Sequence, residues 1–147
     1  GYPWFIRAVC TARDRYLTYM QAQRLSSNGS LVLCDRYSLP GFMKMDGPQC
    51  ESAIAGLENV NWFLKFLVKT EKFYYGQILK PDLLIVLKLD PEIAVNRKTE
   101  ETETSVRARS SEVWSLDWGK LSAFEVNASG SREEALSQVR SLMWEHL

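Results

Sequence analysis

The sequence predicts an α/β fold: three layers, with a parallel sheet flanked by helices. Three observations lead there. The continuous apolar runs Leu31-Val32-Leu33-Cys34 and Leu83 to Leu87, the second within a strand Leu83 to Leu89, are too short for helix faces and read as strands buried on both sides. Helical periodicities lie before, between and after them, as expected when parallel strands are joined by helices. The first run also stops abruptly at Asp35-Arg36-Tyr37, and open α/β sheets place their ligands at the carboxyl ends of such strands. Asp35, Arg36 and Tyr37 are therefore the first candidates for chemistry, against the plainer reading of a turn cap, a solvated cation and a packed ring.

Each element has its own signal. Phe5, Val9, Ala12, Tyr16, Tyr19 and Met20 recur at steps of three and four, predicting a helix from Trp4 to about Ser26. Pro3 suits its first turn and Asn28-Gly29 its end. Arg13 and Arg15 lie near the edge of its apolar stripe. After the strand Leu31–Cys34, residues 40–48 hold two prolines and two glycines and read as a loop, with Asp46-Gly47-Pro48 as a turn. Residues 51–78 read as mostly helical, broken near Thr70, with a broad apolar face from Ile54 to Leu67. Its Trp62–Leu67 portion is packing surface or a homodimer face, and Tyr74 and Tyr75 are core or pocket residues.

The second strand, Leu83 to Leu89, runs into Asp90-Pro91-Glu92. A capping acid followed by proline starts a helix that carries Arg97. Residues 98–112 are then polar, with Arg107 and Arg109 after a cluster of glutamates. Such a segment buries little, so it is a candidate mobile lid or a plain solvated helix face. Residues 113–118 are aromatic-rich and expected to pack back. Phe124-Glu125-Val126 makes a short third strand ending in Asn127-Ala128-Ser129. Ser131 with Glu134 forms a capping box for a last helix, with Leu136, Val139, Leu142, Met143 and Leu147 on one face.

Composition narrows the function. With 147 residues, the chain reads as a single domain, 1–147. Eighteen basic and eighteen acidic residues cancel, which argues against nucleic acid or an anionic membrane as a bulk partner. Cys10, Cys34 and Cys50 are odd in number and never in CxxC spacing, so they read as reduced core thiols of a cytoplasmic protein, with no metal site. The lone His146, next to the last residue, makes histidine catalysis a poor fit. The opening Gly1-Tyr2-Pro3-Trp4, without an initiator Met, reads as a start inside a longer protein. Three strands also make a poor sheet of this type, so a piece of sheet is expected to be missing.

Taken together, these motifs resemble a family. The helix with Arg15, Cys34-Asp35-Arg36-Tyr37, Lys80-Pro81-Asp82 with its strand, Leu89-Asp90-Pro91-Glu92, the arginine-bearing polar segment and Val126-Asn127-Ala128-Ser129 are similar to the carboxyl-terminal two-thirds of thymidylate kinase-like nucleoside monophosphate kinases. The resemblance implies a P-loop kinase type of fold lacking its first strand-loop-helix unit. It also implies transfer of the γ-phosphoryl of ATP, with Mg²⁺, to a deoxynucleoside monophosphate, dTMP first among them. Carried over, Arg36 grips the acceptor phosphate and Asp35 orients the acceptor or a metal-bound water, with Tyr37 beside them. Arg15 reads the base, Arg107 and Arg109 close over the phosphates, and Arg97 with Asn127, Ala128 and Ser129 holds the adenine.

Those roles fit the chemistry. Phosphoryl transfer needs alignment and positive charge more than covalent help, and the guanidinium fork grips phosphate at two points. No GxxxxGK[ST] loop occurs in the chain, so by itself it is expected not to bind ATP productively. Two alternatives stay open: a non-catalytic kinase-like binding module, and a kinase for another nucleoside or small-molecule acceptor.

Overall fold

A computed structural model describes residues 1–39, 47–57, 59–97 and 101–146. The chain divides into two compact units, Gly1–Leu79 and Lys80–Leu147.

The first unit is helical. Its longest element, α1 (Tyr2–Ser27), carries Pro3 in its first turn and ends where Gly29 turns the chain at φ +81, a conformation that glycine adopts without steric cost. Phe5, Ala12 and Tyr19 of the expected stripe are buried, and Val9, Tyr16 and Met20 are half-buried. The expected long helix 51–78 is instead two: α2 (Cys50–Ile54) and α3 (Trp62–Gly76). The break falls before Asn61, whose Oδ1 accepts the Leu64 N–H at 3.0 Å and starts α3. At Thr70, where a break was expected, the hydroxyl donates to the Phe66 carbonyl at 2.9 Å and the helix runs on. The core is formed by Phe5, Cys50, Leu64, Leu67 and Val68.

The second unit contains the sheet. Strand β1 (Ile85–Lys88) pairs in parallel with β2 (Phe124–Asn127), in register from Ile85 opposite Phe124 to Lys88 opposite Asn127. The crossover passes through α4 (Pro91–Arg97) and α5 (Glu103–Ser115), followed by a short 3-10 turn, Trp118–Leu121. Asp90 caps α4 as its sequence predicts, its Oδ1 accepting the Glu92 N–H at 2.9 Å. The capping box at α6 (Arg132–His146) is likewise formed: Ser131 N–H donates to Glu134 Oε2, and Glu134 N–H to Ser131 Oγ, both at 3.1 Å. Ala135, Val139, Leu142 and Met143 are the half-buried residues of α6. The expected Leu136 is exposed, and Leu147 lies outside the described residues. Trp118 packs back as expected, 2 % exposed, with its indole N–H on the Val113 carbonyl.

The predicted fold class is overturned. Helices dominate, and among the described residues only two strands pair; this is not a three-layer parallel sheet of the P-loop kinase type. The expectation failed at Leu31–Cys34, which joins no ladder among the described residues and leaves Leu31 63 % and Leu33 80 % exposed. An apolar run becomes a strand only where another backbone takes up its N–H and C=O groups.

Candidate functional site

In the first unit, Arg15 projects from the half-buried flank of α1 toward α3. Its Nη1 donates to Tyr75 Oη at 2.8 Å, and its guanidinium carbon lies 5.9 Å from the Tyr75 ring centroid. The edge of the fork is thus oriented by a phenol, and the cation lies near a ring face that attracts it. Tyr75, left open as core or pocket by its sequence, is this arginine's partner. Tyr37 is also anchored: its hydroxyl donates to the Leu79 carbonyl at 2.6 Å, fastening the end of the 31–39 segment to the end of the unit.

Asp35 and Arg36 are exposed. Arg36 has φ +63, a left-handed conformation that places Cβ against the following carbonyl and costs about 1–2 kcal/mol in a non-glycine residue. Asp35 and Tyr37 flank it without sharing that conformation. The expected turn at Pro40-Gly41 and Asp46 lie outside the described residues.

The same unit holds a buried carboxylate that the sequence reading passed over. Glu71 is 1 % exposed and accepts the N–H groups of Gln49 at 3.0 Å and Cys50 at 2.9 Å, holding the start of α2 against α3. Its sequence signal was an acid at position i+4 and i+3 from Leu67 and Val68, inside the buried face of the helix. Burial first, and then the Glu71 carboxylate beside it, push the Cys50 thiol up to about 12. Cys50 is therefore the core thiol the sequence predicts, while Cys10 and Cys34 are exposed.

In the second unit, the expected adenine-holding residues do come together. Arg97 Nη1 donates to the Ala128 carbonyl at 2.9 Å, and Nη2 to those of Ser129 at 3.3 Å and Gly130 at 2.9 Å. Asn127 Oδ1 accepts the Ser129 N–H at 2.9 Å, and Ser129 Oγ accepts the Asp90 N–H at 3.1 Å. One guanidinium thus clamps the loop beyond β2 to the end of α4. With its edge committed to carbonyls, an exposed planar guanidinium still offers a face, and a face is what stacks on an aromatic base.

The two expected lid arginines are engaged on different sides of α5. Arg107 pairs with Glu92 of α4, and Arg109 pairs with Glu101 just before α5. Residues two apart on a helix lie about 200° apart, so the two cannot both reach one phosphate from a rigid α5. Buried Val106 and the Ser110 hydroxyl on the Leu89 carbonyl at 2.6 Å tie this helix to the end of the β1 segment. Of the expected lid at 98–112, residues 98–100 lie outside the described residues.

For Mg²⁺, no group of three histidine, cysteine, aspartate or glutamate side chains is gathered among the described residues. No helix among them is long and apolar enough to cross a membrane. No family model matches the chain, and no curated protein or solved structure matches it significantly.

Proposed function

We propose that the chain is the acceptor- and base-binding part of a nucleotide kinase that transfers the γ-phosphoryl of ATP to a deoxynucleoside monophosphate, dTMP first among candidates. The resemblance of its motifs to thymidylate kinase-like enzymes names the reaction. The observation that carries the reading is Arg36, an exposed arginine held left-handed at the end of an apolar segment. Backbone strain at a cation persists where position matters more than local stability.

In this reading Arg36 grips the acceptor phosphate through two N–H groups, and Asp35 accepts from the acceptor or from a water beside it. Arg15, its fork oriented by Tyr75, reads the base, and Tyr37, its hydroxyl anchored on the Leu79 carbonyl, belongs to the substrate site. Arg97 presents its flat face to the adenine above the Asn127–Ser129 loop. ATP with Mg²⁺ supplies the phosphoryl group and neutralises its charge; the protein's part is alignment. Of Arg107 and Arg109, only one can serve a given phosphate, and it must first leave its carboxylate. The GxxxxGK[ST] loop that phosphoryl transfer requires in such kinases is not in this sequence, so turnover is proposed for the complete protein and nucleotide binding for this chain.

The test separates binding from folding. Calorimetric titration of the chain with dTMP should give binding that Arg36→Gly abolishes, while thermal melting shows the variant folded. Binding undiminished in Arg36→Gly would refute the role of Arg36. A coupled ADP-release assay of the complete protein over nucleoside monophosphates would then identify the acceptor.

A further inference from the structure

Helix α3 carries its chemistry on two opposite faces. The inner face buries Leu64, Leu67, Val68 and Glu71. The outer face is where the unexplained residues lie. Trp62, Phe66 and Phe73 are 77 %, 55 % and 59 % exposed. At about 100° per residue they fall within one narrow arc, forming an aromatic ridge about 16 Å long. Lys65, Lys69 and Lys72 fall in the adjoining arc, all exposed. Only Lys72 has an acidic partner among the described residues, Glu51 at 2.6 Å. The rings are also supported from beneath: Trp62 stands edge-on to Phe63, and Phe73 edge-on to Tyr74.

An exposed ridge of three large aromatics is costly in water, and scattered surface residues do not line up in this way. Charge narrows what covers it. The only acid on α3, Glu71, faces inward, so the outer face is purely cationic. Antiparallel pairing with a second copy would set the lysine stripe against itself. A membrane-surface helix is rich in cations across the polar face opposite its apolar one, whereas here they form a single stripe beside the rings and the opposite face is buried. We propose that the outer face of α3 is the docking site for an amphipathic helix of a partner protein, one with an acidic stripe beside its apolar stripe. The rings supply buried area, and Lys65 and Lys69 supply orientation and encounter rate.

A synthetic helical peptide of roughly 18 residues, with leucines at helical spacing and glutamates along one flank, serves as the probe. A second peptide with lysine for each glutamate is its control. Titrated calorimetrically into the 147-residue chain, the acidic peptide should bind about tenfold or more tightly than the basic one. Phe66→Ser should weaken the acidic peptide by about tenfold, and Lys65→Glu with Lys69→Glu should reverse the preference. All three positions are solvent-facing, and circular dichroism checks that each variant remains helical. Equal affinity for the two peptides, or indifference to Phe66→Ser, overturns the proposal. It is equally overturned if phosphatidylserine vesicles, or a dimer seen by light scattering, take up the Phe66-dependent binding while the acidic peptide does not.

Discussion

Two apolar runs, each closed by an aspartate, look alike in this sequence and meet opposite fates. Leu83 to Leu89 contains β1, with β2 beside it in register, α5 tied to its end by Ser110, and Asp90 capping the next helix. Leu31 to Cys34 joins no ladder, and Leu33 is 80 % exposed. The difference is not in hydrophobicity. It lies in what the following chain returns: after β1 a helical crossover brings β2 back alongside, with Phe124 N–H on the Leu84 carbonyl and Ala128 N–H on that of Lys88. After Cys34 the chain instead turns through a strained arginine and a tyrosine fastened to Leu79. A strand is a property of two backbones, and composition reports on one.

The largest expected effect tests that contrast directly. Val126→Asp, which puts an unpaired carboxylate at a position only 1 % exposed, should destabilise the chain by about 4 kcal/mol or more, read from urea unfolding. Leu33→Asp, the same chemistry in the unpaired run, should change stability by no more than about 0.5 kcal/mol. Similar losses at the two positions would erase the distinction.

The first unit draws its cohesion from elsewhere. Glu71→Ala strands the Gln49 and Cys50 N–H groups and should cost about 3 kcal/mol, with Glu71→Gln costing less because its carbonyl still accepts one of them. Equal costs would deny the carboxylate its capping role. Beside it, Cys50 should react far more slowly with iodoacetamide than Cys10 or Cys34 at pH 8. Because its folded pKa is raised from 9.0 to about 12, this thiol's contribution is fully present below pH 9. It is lost progressively as pH climbs from 9 toward 12, where the unfolded chain ionises and the folded one does not. Cys50→Ala should flatten that alkaline decline. One substitution should give a gain: Arg36→Gly removes left-handed strain and should raise stability by about 1 kcal/mol, seen as a higher melting temperature.

Much of the local structure was legible because local chemistry sets it. Asp90-Pro91-Glu92, Ser131 with Glu134, and Asn28-Gly29 fix helix ends through bonds within a few residues, and each does what its spacing implies. The α1 stripe was readable for the same reason. The sheet was not, because pairing depends on residues far away in the chain. The α2–α3 break was misplaced because Thr70 bonds within its helix and Asn61 does the capping. At the candidate site, the resemblance assigned Arg97 with Asn127, Ala128 and Ser129 to one adenine site, and the structure sets the Arg97 fork on the carbonyls of Ala128, Ser129 and Gly130. The strain at Arg36, the Tyr75 partner of Arg15 and the opposed directions of Arg107 and Arg109 are set by how the chain packs, which local spacing does not encode. No spacing rule encodes a left-handed arginine.

Hydrogen exchange with and without dTMP tests the account most directly, because one experiment reads both runs and the site. In the free chain, amides within the β1–β2 ladder should be protected while those of residues 31–34 exchange as if unstructured. Saturating dTMP should slow exchange around Asp35, Arg36 and Tyr37 and leave the ladder unchanged. Protection of residues 31–34 equal to that of β1 in the free chain, or no change at 35–37 on adding dTMP, would contradict it.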